Sequence, residues 1–107
     1  MYLKIKTKNG GSINMFDKRM PALGETIYRI YGKCIFVDTV YAVAAKEFIL
    51  ESFLRNAKEE YYLCKVESAG STWFTDLDTA IEHLMSNYDE THKLVKYSAE
   101  WYEVEKV

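Results

Sequence analysis

Residues 72–88, TWFTDLDTAIEHLMSNY, spell out a helix together with what leads into it. Leu77, Ala80, Ile81, Leu84, Met85 and Tyr88 recur at i, i+3, i+4, i+7, i+8 and i+11, the spacing that collects side chains on one helical face. Asp78, Thr79, Glu82, His83, Ser86 and Asn87 take the other face. Thr75 stands where an N-cap is expected, and Asp78 three residues on favours the positive end of the helix dipole. The pattern predicts an amphipathic helix over about 76–88, with Trp73 and Phe74 as a short strand that swings it onto a sheet. Its acidic residues Asp76 and Asp78 are explained by capping, and the polar-face His83 by solvation, without catalysis.

The rest of the chain supplies the sheet. Residues 26–31 (TIYRIY) and 34–43 (CIFVDTVYAV) are β-branched and aromatic runs on either side of Gly32-Lys33, a reversal that pairs them antiparallel. The second run is apolar almost throughout, which calls for burial on both faces or for a bend, and bending is how a small sheet curls toward a barrel. Asp38 is the lone carboxylate in that run and reads as an edge or bulge residue, or as one lining a pocket. Upstream, residues 2–7 alternate and Asn9-Gly10-Gly11 offers a hairpin turn, so residues 12–16 return as a partner strand. Residues 17–24 (DKRMPALG) hold the single proline, Pro21, and form a joint within one domain.

Residues 44–60 (AAKEFILESFLRNAKEE) admit two readings. Their alanines, lysines and glutamates favour a helix, yet Phe48, Ile49, Leu50, Phe53 and Leu54 cover more than half of its circumference. The alternative is a turn at Ala45-Lys46-Glu47, a short strand over 48–50 and a loop. Residues 61–67 form a further strand, and residues 94–107 close the chain as a strand with a bulge near Trp101.

Composition narrows function by exclusion. A chain of 107 residues, 49% hydrophobic and 28% charged, makes a single domain with one core; residues 1–17 form its hairpin, 20–88 its central unit and 93–107 its last strand. A net charge of −2 gives no global positive field for nucleic acid or an anionic membrane. No apolar run reaches a membrane-spanning length and the N-terminus alternates, which reads as a cytoplasmic chain. Cys34 and Cys64 lie in strands, far apart, as free thiols. His83 and His92 have no ligands beside them at metal-binding spacing, and no glycine loop precedes a helix, so no catalytic residue, metal or cofactor is expected.

Two surface patterns remain. Tyr2, Lys4, Lys6 and Lys8 form a basic stripe on the first strand, a track for nucleic acid or a guard against edge pairing. Glu59, Glu60, Tyr61 and Tyr62, with Trp101, Tyr102 and Glu103, mix carboxylates with aromatics as protein-binding surfaces do.

The segments MPALGETIYRIYGKCIFVDTVYAV (20–43), FILESF (48–53) and TWFTDLDTAIEHL (72–84) together resemble small uncharacterised proteins of bacterial phages and integrative elements. In those a GDTVY-x-IYG strand pair precedes a β-rich segment and a WFTSLEEA-type helix. The resemblance implies an α+β fold, with a curled, SH3-like antiparallel sheet and a helix against its open end, and it implies that residues 48–50 are extended. It implies no catalytic residue. It suggests a non-enzymatic protein whose partner is a host or phage protein, such as a component of a CRISPR-Cas defence system. The alternative function is an SH3-like nucleic-acid module using the basic strand.

Overall fold

Each expected strand run finds a neighbour in the computed structural model, which describes residues 4–6, 12–14, 19–52 and 61–107. The fold is α+β, a strongly curled, SH3-like antiparallel sheet with, among the described residues, one α-helix. Strands β1 (Lys4–Lys6) and β2 (Ser12–Asn14) pair as the N-terminal hairpin, with Ile5 opposite Ile13. The turn at Asn9-Gly10-Gly11 lies outside the described residues.

Strands β3 (Thr26–Tyr31) and β4 (Cys34–Val43) form the hairpin at the centre. Gly32 has φ +61°, and a type II′ hairpin turn asks for glycine at this first central position. β5 (Glu47–Ser52) follows a turn closed by the Ala44 N–H on the Glu47 carbonyl at 2.8 Å. Residues 47–52 are therefore a strand, and the helical reading of the segment fails because Phe48 and Leu50, one strand period apart, both enter the core. Residues 53–60 lie outside the described part. β6 (Tyr61–Lys65) pairs with β5, and a single 3-10 turn, Val66–Ser68, leads to β7 (Trp73–Phe74) on the far edge of β3.

The closing segment is two strands. β8 (His92–Ser98) and β9 (Trp101–Lys106) form a hairpin that reverses at Ala99-Glu100, with a register irregularity between Lys96 and Ser98 opposite Trp101 and Tyr102. A bulge near Trp101 was legible; the reversal was not, because no glycine or proline marks it. β9 pairs with Cys34–Phe36 of β4, while β5 pairs with the same edge of β4 from Asp38 onward. One strand thus serves two neighbours in succession, with a bulge between Val40 and Ala42, and the sheet forks and curls there.

Helix α1 (Leu77–Met85) starts one residue later than Thr75 would set it. Asp76 is the N-cap: its carboxylate accepts from the Thr79 N–H at 2.8 Å and from the Thr79 hydroxyl at 2.7 Å. The helix stops before Tyr88, which packs against the core from a turn beyond it.

Two apolar clusters result. Ile27, Val40, Phe48, Leu50, Cys64, Ala69 and Trp73 fill the inside of the curl. Ile35, Phe74, Ala80, Leu84 and Val104 lie between sheet and helix, with Leu77, Ile81 and Met85 half-buried around them. Trp73 and Phe74 are adjacent, so the strand period sends one ring into each cluster. Leu84→Ala is expected to lower stability by about 2–5 kcal/mol in urea denaturation, while Glu82→Ala on the exposed face stays within about 0.5 kcal/mol. Equal losses would place the wrong face in the core.

Candidate interaction face

Antiparallel partners in direct register share a face of the sheet. Trp73, Arg29, Phe36 and Trp101 form one such row across β7, β3, β4 and β9. The neighbouring row, Tyr31, Cys34 and Glu103, lies on the same face. Helix α1 covers the opposite face, where Tyr28, Ile30, Ile35, Tyr102 and Val104 pack against it.

At the centre of the row stands a buried charge. Arg29 is 8% exposed and Asp38 is 0% exposed. The Arg29 Nε donates to Asp38 Oδ2 at 2.6 Å. The guanidinium lies 3.7 Å from the ring centre of Tyr62 and 4.7 Å from that of Phe36, held by an aromatic ring from each of two strands. Asp38 is therefore neither an edge nor a pocket residue: β4 has β3 on one side and β5 on the other at this position, and the carboxylate is committed to Arg29. Cys64 sits beside this pair, and burial, opposed by Arg29 and reinforced by Asp38, pushes its thiol up to about 11. A thiol held in that form is a poor nucleophile at neutral pH.

Beyond Phe36 the face opens to solvent. Trp101 is half-buried beneath Tyr97, the two rings stacked at 4.5 Å and 17°. Tyr97 is 46% exposed, Tyr62 39% and Tyr31 72%. Glu103 borders them and receives Lys33 Nζ at 3.1 Å, which raises the lysine above its ordinary value. The Cys34 thiol in the same row is pushed up chiefly by burial. The arrangement is a surface of aromatic rings around a buried ion pair, with a charged rim.

The residues expected to bind protein divide. Tyr62, Trp101 and Glu103 come to one face although they lie far apart in sequence. Tyr102 turns to the helix side, because consecutive strand residues alternate. Glu59 and Glu60 lie outside the described residues, and Tyr61 is placed only as the first residue of β6. In the basic stripe, Lys4 and Lys6 are on β1, while Tyr2 and Lys8 lie outside the described residues. Sequence reading missed Arg29, Phe36 and Tyr97 as members of the face. The tight turn at Gly32-Lys33 fixes the β3–β4 register and makes Arg29 and Asp38 diagonal neighbours, a signal that was present in the chain.

A second polar group, Asp89, Thr91 and His92, has the residue types of a catalytic relay but not its geometry. The Asp89 carboxylate accepts from the Thr91 hydroxyl and from the Thr91 N–H at 2.9 Å. It also lies 3.2 Å from His92 Nδ1, the same ring nitrogen that Thr91 approaches at 3.0 Å. A relay needs acid and nucleophile on different nitrogens of the ring. This is a locked turn into β8. The Thr91 bonds, hydroxyl first, and then His92 hold the Asp89 carboxyl down at about 2. A depressed carboxyl contributes stability above its unfolded value, and that stability is lost as pH falls through about 2. Thr91→Val is expected to bring the Asp89 titration, followed by side-chain NMR, back toward 3.8 and to weaken the pH dependence of stability below that value. An unchanged titration would refute the assignment.

Among the described residues no group of three or more His, Cys, Asp and Glu side chains is placed to hold a metal ion, and no helix is long and apolar enough to cross a membrane. Comparison with protein-family models, with curated proteins and with solved structures finds no match.

Proposed function

We propose that this chain is a non-enzymatic protein-binding protein whose contact surface is the sheet face opposite α1, with Tyr62, Tyr97 and Trp101 as anchors and Glu103 on the rim. The observation that carries the reading is the convergence on one face of rings from β3, β4, β6, β8 and β9, in a part of the sheet that the helix leaves open. Exposed tyrosine and half-buried tryptophan bordered by charge are the features that dominate binding energy at protein interfaces. The Arg29–Asp38 pair fixes the platform, since its guanidinium is already stacked and ion-paired. In the mobile-element setting that the sequence resemblance suggests, the partner is a host or phage protein, and a nucleic-acid-targeting defence complex such as CRISPR-Cas is the concrete version.

The test is affinity capture from host lysate with the intact chain and with Tyr97→Ala and Tyr31→Ala, both on exposed rings. The reading expects a specific partner with the intact chain and at least about tenfold weaker binding of that partner by one of the variants, the loss that an interface anchor produces. Capture that ignores both substitutions, or salt-dependent binding to oligonucleotides in place of protein, would overturn it.

A further inference from the structure

Along β8 the sheet has an outer edge whose backbone groups can be assigned. The Val104 N–H donates to the Lys33 carbonyl and the Val37 N–H to the Glu100 carbonyl, each at 2.9 Å. Even-numbered residues of β9 therefore turn their backbone groups toward β4, and the odd-numbered Glu103 and Glu105 turn theirs toward β8. Their register partners are Val95 and Lys93, so these two residues of β8 are bonded inside the ladder. The Val107 N–H on the Thr91 carbonyl at 2.7 Å continues the same alternation. Leu94 and Lys96 consequently direct both N–H and C=O away from β9. Among the described residues no strand pairs with β8 on that side.

At the other end of the sheet the outer side of β6 also has no strand partner among the described residues, but one of its outward backbone groups is already taken. The Trp73 indole donates to the Lys65 carbonyl at 2.8 Å, which draws the end of β6 in toward β7. β8 also differs in charge. Its residues, HKLVKYS, include His92, Lys93 and Lys96 and no carboxylate, in a chain whose net charge is −2. Lysines on an edge repel a second copy of the same strand, since pairing would bring both sets together. A strand carrying carboxylates meets the opposite condition: the lysines that exclude self-pairing become its partners. The edge is also continuous with the aromatic face, because Val95 lies opposite Glu103 and Tyr97 stacks on Trp101.

We propose that β8 receives an extended acidic segment of the partner protein as an added strand, bonded to the backbone of Leu94 and Lys96 and flanked by Lys93 and Lys96. The inference rests on the protein-binding reading and names how one segment of the partner is held. Main-chain bonds fix the segment, the lysines select its charge, and its inward side chains reach Val95 and Tyr97.

The experiment uses the full chain, labelled for amide NMR, and two blocked synthetic peptides, one alternating glutamate and threonine and one alternating lysine and threonine. Only the glutamate peptide is expected to bind, weakening as salt rises, with larger shifts at the Leu94 and Lys96 amides than at Lys93 and Val95. Reversing both charges, Lys93→Glu with Lys96→Glu, is expected to invert the preference, with affinity for the glutamate peptide falling by at least about tenfold. Both substitutions are at exposed positions, and the spectrum itself reports whether the variant is folded. Equal binding of the two peptides, no binding of the glutamate peptide, or shifts that spare Leu94 and Lys96 would each overturn the proposal. None of those results touches the Tyr97→Ala and Tyr31→Ala test, so the edge can fail while the aromatic face stands.

Discussion

Asp38→Ala is expected to cost about 3–5 kcal/mol, because it leaves a guanidinium buried without its counter-charge. The carboxylate is fully buried and 2.6 Å from Arg29 Nε. Phe36 and Tyr62 cover the guanidinium on its faces, so water cannot readily replace the lost oxygen. Their contribution, about 0.5–2 kcal/mol for such ring contacts, does not offset the loss. The paired substitution Arg29→Met with Asp38→Leu removes both charges and is expected to recover much of the stability, since buried ion pairs often exchange for apolar groups at little net cost. Urea denaturation of the two variants, compared at similar m values, decides the matter. A loss below about 1 kcal/mol for Asp38→Ala would mean that the guanidinium finds water or another acceptor.

Trp73→Ala is expected to cost about 3–5 kcal/mol by the same measurement. The ring is 2% exposed and meets Phe48 edge-on at 4.9 Å and 86° inside the curl. Its indole N–H ties the end of β6 to β7 through the Lys65 carbonyl. Trp73→Phe keeps most of the apolar volume and removes that bond, so it is expected to lose less, with about 1 kcal/mol of the loss assigned to the hydrogen bond. If the two variants fall equally, the indole bond and not the packing carries the site.

The helix, the central hairpin and the curled sheet could be read from residues because each rests on local signals. These are the 3.6-residue period of 77–88, the glycine at 32 and the apolar run of 34–43. The exact cap could not, because Thr75 and Asp76 both qualify and only the position of Thr79 chooses between them. The reversal at Ala99-Glu100 was hidden for want of a turn residue. The candidate interaction face was half legible. Arg29 and Asp38 follow from the register of a two-residue turn, whereas Tyr62 reaches Arg29 only through the curl of β5 and β6, which no local pattern encodes. Tyr102 falls on the helix side, away from Trp101 and Glu103, because consecutive strand residues face opposite sides of the sheet.

Because β4 seats β5 and β9 on one edge, the two arms of the fold differ in how far the chain must travel to close them. The meander from β3 to β6 joins neighbours in sequence, while Ile35 must wait for Tyr102 from near the end of the chain. Closing the longer loop costs more entropy before any contact rewards it. The meander is therefore expected to assemble early, and the β8–β9 arm to dock late and detach first. In native-state hydrogen exchange the Val104 amide, bonded to Lys33, is expected to exchange ahead of the Ile27 amide within the β3–β4 hairpin, and the reverse order would refute this sequence of events. The surface proposed to hold a partner is then built on the arm that is added last.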